Sequence, residues 1–238
     1  MAMPDHGGEP AAATVPHGRA ALRLLSTAGN LEYDRVLFFS DAIFAIAITL
    51  LAVDIRVPDL PASLIHSSQQ LRNAEPRIFG FVLSFLVIGL FWIGHHSIFR
   101  HIIALDRLLI LINLLFLGTI AFLPYPTALL GATGTGQAPA TIFYAVCVAT
   151  AGLAEAAIWL WAIRAGLVAD AVPPELRRYL AARMLRTPVV FGLSIPVAAV
   201  APGVAPYMWL ALIPIGLVLR HTMLKEEVLR EEADEPET

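Results

Sequence analysis

The chain has 238 residues, 58% of them hydrophobic and only 15% charged, with a formal net charge of −3 and a mean hydropathy of +0.72. A soluble domain carries about 25% charged and about 45–50% apolar residues, so this composition excludes a disordered chain, a collagen-like repeat and a basic nucleic-acid binder. The lone cysteine, Cys147, can form neither an internal disulfide nor a cysteine metal cluster and reads as a small apolar residue.

What remains is an all-α integral membrane protein. Residues 1–32 are rich in Ala, Gly and Pro and lack the compact apolar stretch of a secretory signal, so they read as a disordered cytoplasmic tail. A membrane-crossing helix needs about 20 mostly apolar residues. The first candidate is Val36–Ile55, which holds Asp41 and Asp54. The second is Ile78–Phe99, free of Asp, Glu, Lys and Arg. From Leu108 to Ala154 there is again no charge, and Gly131–Pro139 divides that run into a third and a fourth span, the latter reaching Ile163 with only Glu155 inside it. The uncharged run Thr187–Leu219 would be about 50 Å long as one helix, too long for a single crossing. Pro202, Gly203 and Pro206 divide it into two. Six transmembrane helices over residues 33–222 are expected, followed by an acidic cytoplasmic tail at 223–238.

Positive charge orients these spans. Arg19, Arg23 and Arg35 precede the first, Arg100 and Arg107 join the second to the third, and Arg164, Arg177, Arg178, Arg183 and Arg186 join the fourth to the fifth. Arg220, Lys225 and Arg230 follow the sixth. The opposite side has only Arg56, Arg72 and Arg77. Both termini are therefore expected in the cytoplasm of a cell-membrane, multi-pass protein.

Asp41 lies about 9 Å along the first helix from Arg35. A carboxylate there is expensive in lipid and should face the protein interior with a partner. Trp92, His95 and His96 on the second span sit near one face at similar depth, as does Asn113 on the third. Buried polar groups must satisfy one another. A metal site fits poorly, because adjacent histidines point about 100° apart. No span pairs a serine with a base, so no enzyme is expected. A structural brace fits best. Farther along, Ala42–Val53 carries no charge, and its small residues permit close helix approach. Ile46, Thr49 and Val53 form a stripe there that, by itself, reads as ordinary packing.

Arg35, Phe39, Ser40 and Asp41 spell R-x-x-x-F-S-D, followed by AIFAIAITLLAVDI. This resembles the signature of the TMEM175 family of potassium-conducting channels. SFLVIGLFWIGHHSIF and LINLLFLGTIAFLPYPTALLG are similar to that family too. The likeness is strong over about residues 33–130 and beyond that extends only to the pattern of spans. It implies a homotetramer whose first helices line a central pore without a TVGYG filter, a motif this sequence lacks. It also implies that Ile46 forms the narrowest ring, with Thr49 and Val53 in the next pore-facing layers. Arg35, Phe39, Ser40, Asp41, Trp92, His95 or His96, and Asn113 would form the brace. Ile46 is about 16 Å past Arg35, near the middle of a core about 30 Å thick. Asp54 and Asp59 would concentrate cations at the outer mouth.

The expected function is a potassium channel with K⁺ as permeant ion, no cofactor and no fixed metal. Its partners are further copies of itself and the lipid bilayer, with no nucleic acid. The competing reading is a proton-linked secondary transporter using Asp41, His95 and His96 as a relay. The absence of an internal repeat argues against alternating access.

Overall fold

The computed structural model describes residues 17–53, 68–212, 214–218 and 221, with side chains from residue 31 to 53, 75 to 212, 214 to 218 and at 221. Its named elements are all helices: α1 (His17–Val53), α2 (Ser68–Phe99), α3 (Arg107–Phe122), α4 (Pro124–Thr133), α5 (Ala138–Arg164), α6 (Pro174–Val200) and α7 (Ala205–Trp209). Five stretches are long and apolar enough to cross a membrane: Leu31–Val53, Glu75–Phe99, Arg107–Thr133, Ala138–Arg164 and Pro174–Val200. The third of these joins α3 to α4 across Leu123, where two prolines, Pro124 and Pro126, remove backbone donors and break the helix.

Three features differ from expectation. The expected sixth span corresponds to a shorter apolar stretch, Ala205–Val218, part of which lies outside the described residues. The fifth span begins at Pro174 rather than Thr187, so Arg177, Arg178, Arg183 and Arg186 belong to a helix and not to a link. Proline at the first helical position starts α6 because its missing N–H has no intrahelical partner there anyway, and Glu175 suits the first turn. Finally, α1 already begins at His17, within the stretch read as a tail. Residues 1–16, Asp54, Asp59 and the acidic 223–238 lie outside the described residues.

The α2–α3 and α5–α6 links meet at one end of the bundle. Ile102 and Val168 form an antiparallel bridge, the Ile103 N–H donates to Leu167 O at 2.9 Å, and the Ala169 N–H donates to His101 O at 3.0 Å. Asp106 caps α3 by accepting from the Leu109 N–H at 2.6 Å, and its carboxylate also accepts the Trp161 indole N–H at 3.0 Å. Arg177 donates to Val172 O and Ala169 O, which closes the second link onto α6. The α2–α3 and α5–α6 links are thus physically tied together.

The core runs through Phe44, Phe99, Phe116, Tyr144, Trp159 and Phe191. Deep inside it, Ser84 of α2 shares hydrogen bonds with Thr127 of α4 at 2.7 Å and Tyr144 of α5 at 3.0 Å. Such a knot satisfies three hydroxyls where no water is at hand. The α5–α6 pair is the most extensive helix contact. It depends on Gly152, because a Cβ there would stand 2.6 Å from Cδ of Pro188. Gly152→Ala should therefore overpack the pair and cost about 1–3 kcal/mol, read as a lower unfolding temperature in detergent. Gly192→Ala, which meets nothing within 4 Å, should leave that temperature unchanged or slightly raised.

Candidate pore helix and polar brace

Helix α1 is fixed to the bundle by one face. Ser40, Phe44, Ala47 and Leu51 are buried, at the i, i+4, i+7, i+11 spacing that lines one side of a helix. Phe44 packs against the His95 and Phe116 rings at centroid distances of 5.7 and 5.9 Å. The other side is bare. Ile46 is 54% exposed and Val53 68% exposed, and Thr49 lies between them on the same exposed face. In the most apolar window of this span only 22% of residues are buried, against 50% for the α5 span. The first span is thus the least covered of the five, and the stripe singled out by sequence is on its uncovered face. The Thr49 hydroxyl donates to Ile46 O at 2.8 Å, which leaves its oxygen lone pairs free to face outward.

What holds α1 in this rotation is a chain of hydrogen bonds with a definite direction. The Ser40 hydroxyl donates to Val36 O at 2.8 Å and accepts from Asn113 Nδ2 at 3.2 Å. Asn113 Oδ1 then accepts from His95 Nε2 at 2.9 Å. Because the Asn113 amide nitrogen is engaged with Ser40, its oxygen faces His95, and His95 carries its proton on Nε2. Ser40, His95 and Asn113 are all buried. The His95 ring is sandwiched by Phe99, at 4.3 Å, and by Phe116, stacked at 5.7 Å. This apolar sheath leaves the imidazole one polar partner and fixes its orientation.

A second, more exposed branch runs alongside. The Trp92 indole N–H donates to Asp41 Oδ1 at 2.9 Å, and His96 stacks on Trp92 at 5.8 Å. The two histidines therefore do different things: His95 joins the Ser40–Asn113 chain, and His96 supports the Trp92–Asp41 contact. No hydrogen bond links Asp41 to either histidine among the described residues, so the three do not form a continuous relay.

Arg35 and Phe39 stand apart from both branches. Both are exposed, and they line an open groove between α1 and α3 with Leu31, Val36, Ile110 and Leu114. Among the described residues Arg35 makes no ion pair with Asp41, so Arg35, expected in the brace, stands outside it: at six residues' separation the two side chains diverge by about 120° around the helix. A further tie went unread in the sequence. The Tyr33 hydroxyl donates to Phe99 O and closes the base of α1 onto the end of α2. A tyrosine at the start of an apolar run, where its hydroxyl can reach a helix end, was the available signal.

Comparison with known proteins follows the same residues. The family described as "Endosomal/lysosomal potassium channel TMEM175" matches residues 35–124, the stretch holding both branches of the brace. A potassium channel of Streptomyces collinus is 41% identical over 145 residues, covering 58% of this chain and 68% of that protein. A potassium channel of Chamaesiphon minutus is 38% identical over 100 residues, spanning 42% of this chain and about half (49%) of its own length. The endosomal/lysosomal proton channel TMEM175 of Homo sapiens is 36% identical over 104 residues, only 20% of its length. Among solved structures, that of a lysosomal potassium-selective channel TMEM175 homolog from Chamaesiphon minutus superposes with a TM-score of 0.64 at 23% identity, covering 79% of this chain and 98% of that one. At that identity the likeness shows the fold.

Asn113→Leu would strand the His95 Nε2–H in the core and take from Ser40 its link to α3. It should cost about 1–3 kcal/mol, measured as a fall in detergent unfolding temperature. Asp41→Ala removes the acceptor of Trp92, and should reduce the yield of assembled protein while leaving the ion preference of what remains unchanged, as read by flux.

Proposed function

The chain belongs to the TMEM175 family, and from that premise we propose that it is a potassium-conducting channel of the cell membrane, with K⁺ as permeant ion and no cofactor. Four copies assemble around an axis onto which the exposed stripe of α1 faces. The observation that carries this reading is the pairing of an uncovered Ile46–Thr49–Val53 face with a polar brace on the opposite side of the same helix. The covered side already carries Phe44, Ala47 and Leu51, so the stripe is a second apolar face that the chain's own bundle leaves bare.

In this arrangement Ile46 supplies the constriction. A ring of four isoleucines near mid-membrane excludes water, so conduction depends on wetting that ring. Thr49, one turn on, offers hydroxyl oxygens to a partly dehydrated cation, and Val53 continues the lining. With no TVGYG segment in the sequence, cation preference rests on pore width and hydroxyl oxygens, which are coarser than a carbonyl cage. Six crossings with both termini in the cytoplasm accord with the basic residues gathered at one end of the bundle.

A second reading, proton conduction, draws on the animal relatives described as endosomal/lysosomal proton channels. The two are separated by reversal potentials in planar bilayers. A K⁺ gradient at equal pH should set the reversal potential near that of K⁺, with Na⁺ less permeant. A reversal potential that follows the pH gradient instead would favour protons, and a flux strictly coupled to a second ion would favour a transporter. Ile46→Asn should wet the ring and raise K⁺ flux on the order of tenfold, about 1.4 kcal/mol off the barrier. Unchanged conductance would remove Ile46 from the pathway.

A further inference from the structure

Away from α1, on the other flank of α2, the bundle encloses a second polar site. Glu155 of α5 is 3% exposed, and its Oε1 has no hydrogen-bond partner. Nε of Arg186, on α6, is likewise buried without a partner. Both side chains line one small cavity, with Gly94, Arg183, Thr187 and Leu212 also on its walls. Arg183 enters from α6 and donates to Ser97 Oγ of α2 at 3.3 Å. No direct ion pair joins Glu155 to either arginine among the described residues.

Two glycines make the room. A Cβ on Gly94 would overlap the Glu155 carboxylate, and one on Gly216 would overlap Nη1 of Arg186. They lie on different segments of the chain, and each leaves space where a charged group sits. The cavity between these groups has room for about one water (≈ 10 Å³). It therefore offers an orphan acceptor, an orphan donor and a water-sized space in one place. Arginine keeps its proton in proteins, so a neutral Glu155 would leave two guanidinium charges uncompensated in an apolar interior.

We propose that this cavity is an internal water site, in which one water bridges an ionised Glu155 Oε1 and Arg186 Nε and completes a buried charge cluster fastening α6 and the terminal apolar segment to α2. The water donates to the carboxylate and accepts from the guanidinium, so both orphan atoms are satisfied. Oε1 is also the carboxylate oxygen nearer to Gly94 on α2, which lines the same cavity, and Oε2 lies farther from that glycine. Arg183 screens the carboxylate from the side and anchors on Ser97. The site is independent of the conduction pathway, because helix geometry turns Gly94 about 200° away from Trp92.

The test uses the full-length protein in lipid nanodiscs. A high-resolution map of the unmodified protein should show an ordered water within hydrogen-bonding distance of both atoms. Infrared difference spectra between the unmodified protein and Glu155→Gln should show loss of an ionised carboxylate band. Direct guanidinium–carboxylate contact with no water, or loss of a protonated carboxyl band instead, would overturn the proposal. Glu155→Gln and Arg186→Gln should each lower the unfolding temperature, and the double variant should lower it clearly less than the sum of the two single shifts. Additive shifts would mean that the two residues do not share a bridge. The map of the unmodified protein decides the matter even if neither variant assembles.

Discussion

A polar group inside a bilayer has no water to fall back on, and the position of α1 follows from how that demand is met. Ser40 can satisfy itself locally through Val36 O, but Asn113 and His95 cannot. Their amide and imidazole must find each other and the Ser40 oxygen, and they do so only when α1 presents Ser40 to α3. Once that contact is fixed, the remaining faces of the helix are set by arithmetic. At about 100° per residue, Thr49 falls about 180° from Ser40, Val53 about 220° and Ile46 about 240°. One buried hydrogen-bond chain thereby turns the Ile46–Thr49–Val53 stripe away from the bundle.

The surrounding packing supports that rotation. Phe44 and Phe116 clasp His95, and Ala47 and Leu51 continue the buried face toward the far end of α1. Tyr33 fastens the near end to α2. The pairing of the two links ties the α2–α3 corner to the α5–α6 corner. Polar ties and apolar packing thus act together on α1, the first through Ser40, Asp41 and Tyr33, the second through Phe44, Ala47 and Leu51.

Much of this was legible in the chain. Long uncharged runs locate five of the spans, because lipid tolerates few charges, and Pro202 and Gly203 mark the break after α6 where it occurs. The residue types of the brace were legible too, since Asp41, Trp92, His95 and Asn113 are costly in an apolar helix without a reason. Pairings were less so. Adjacent histidines share a depth, and only the position of Phe99 and Phe116 decides that His95 is enclosed and His96 is not. Arg183 and Arg186 read as loop charges because α6 hides them against Glu155 only after folding. Glu155 looked solitary for the same reason: its arginines are about 30 residues away, and the glycines that make room for it carry no side chain to announce it.

The central claim is that the bare face of α1 meets water at an axis between copies. Single cysteines from Ala42 to Val53, in a background with Cys147 replaced by Ala, can be exposed to a membrane-impermeant thiol reagent in reconstituted bilayers. Thr49 and Val53 should react, Ile46 should react more slowly behind its own ring, and Phe44, Ala47 and Leu51 should stay protected. Uniform protection of Thr49 and Val53, with both positions quenched by lipid-borne nitroxides when labelled in detergent and reconstituted, would place that face in lipid and contradict the account.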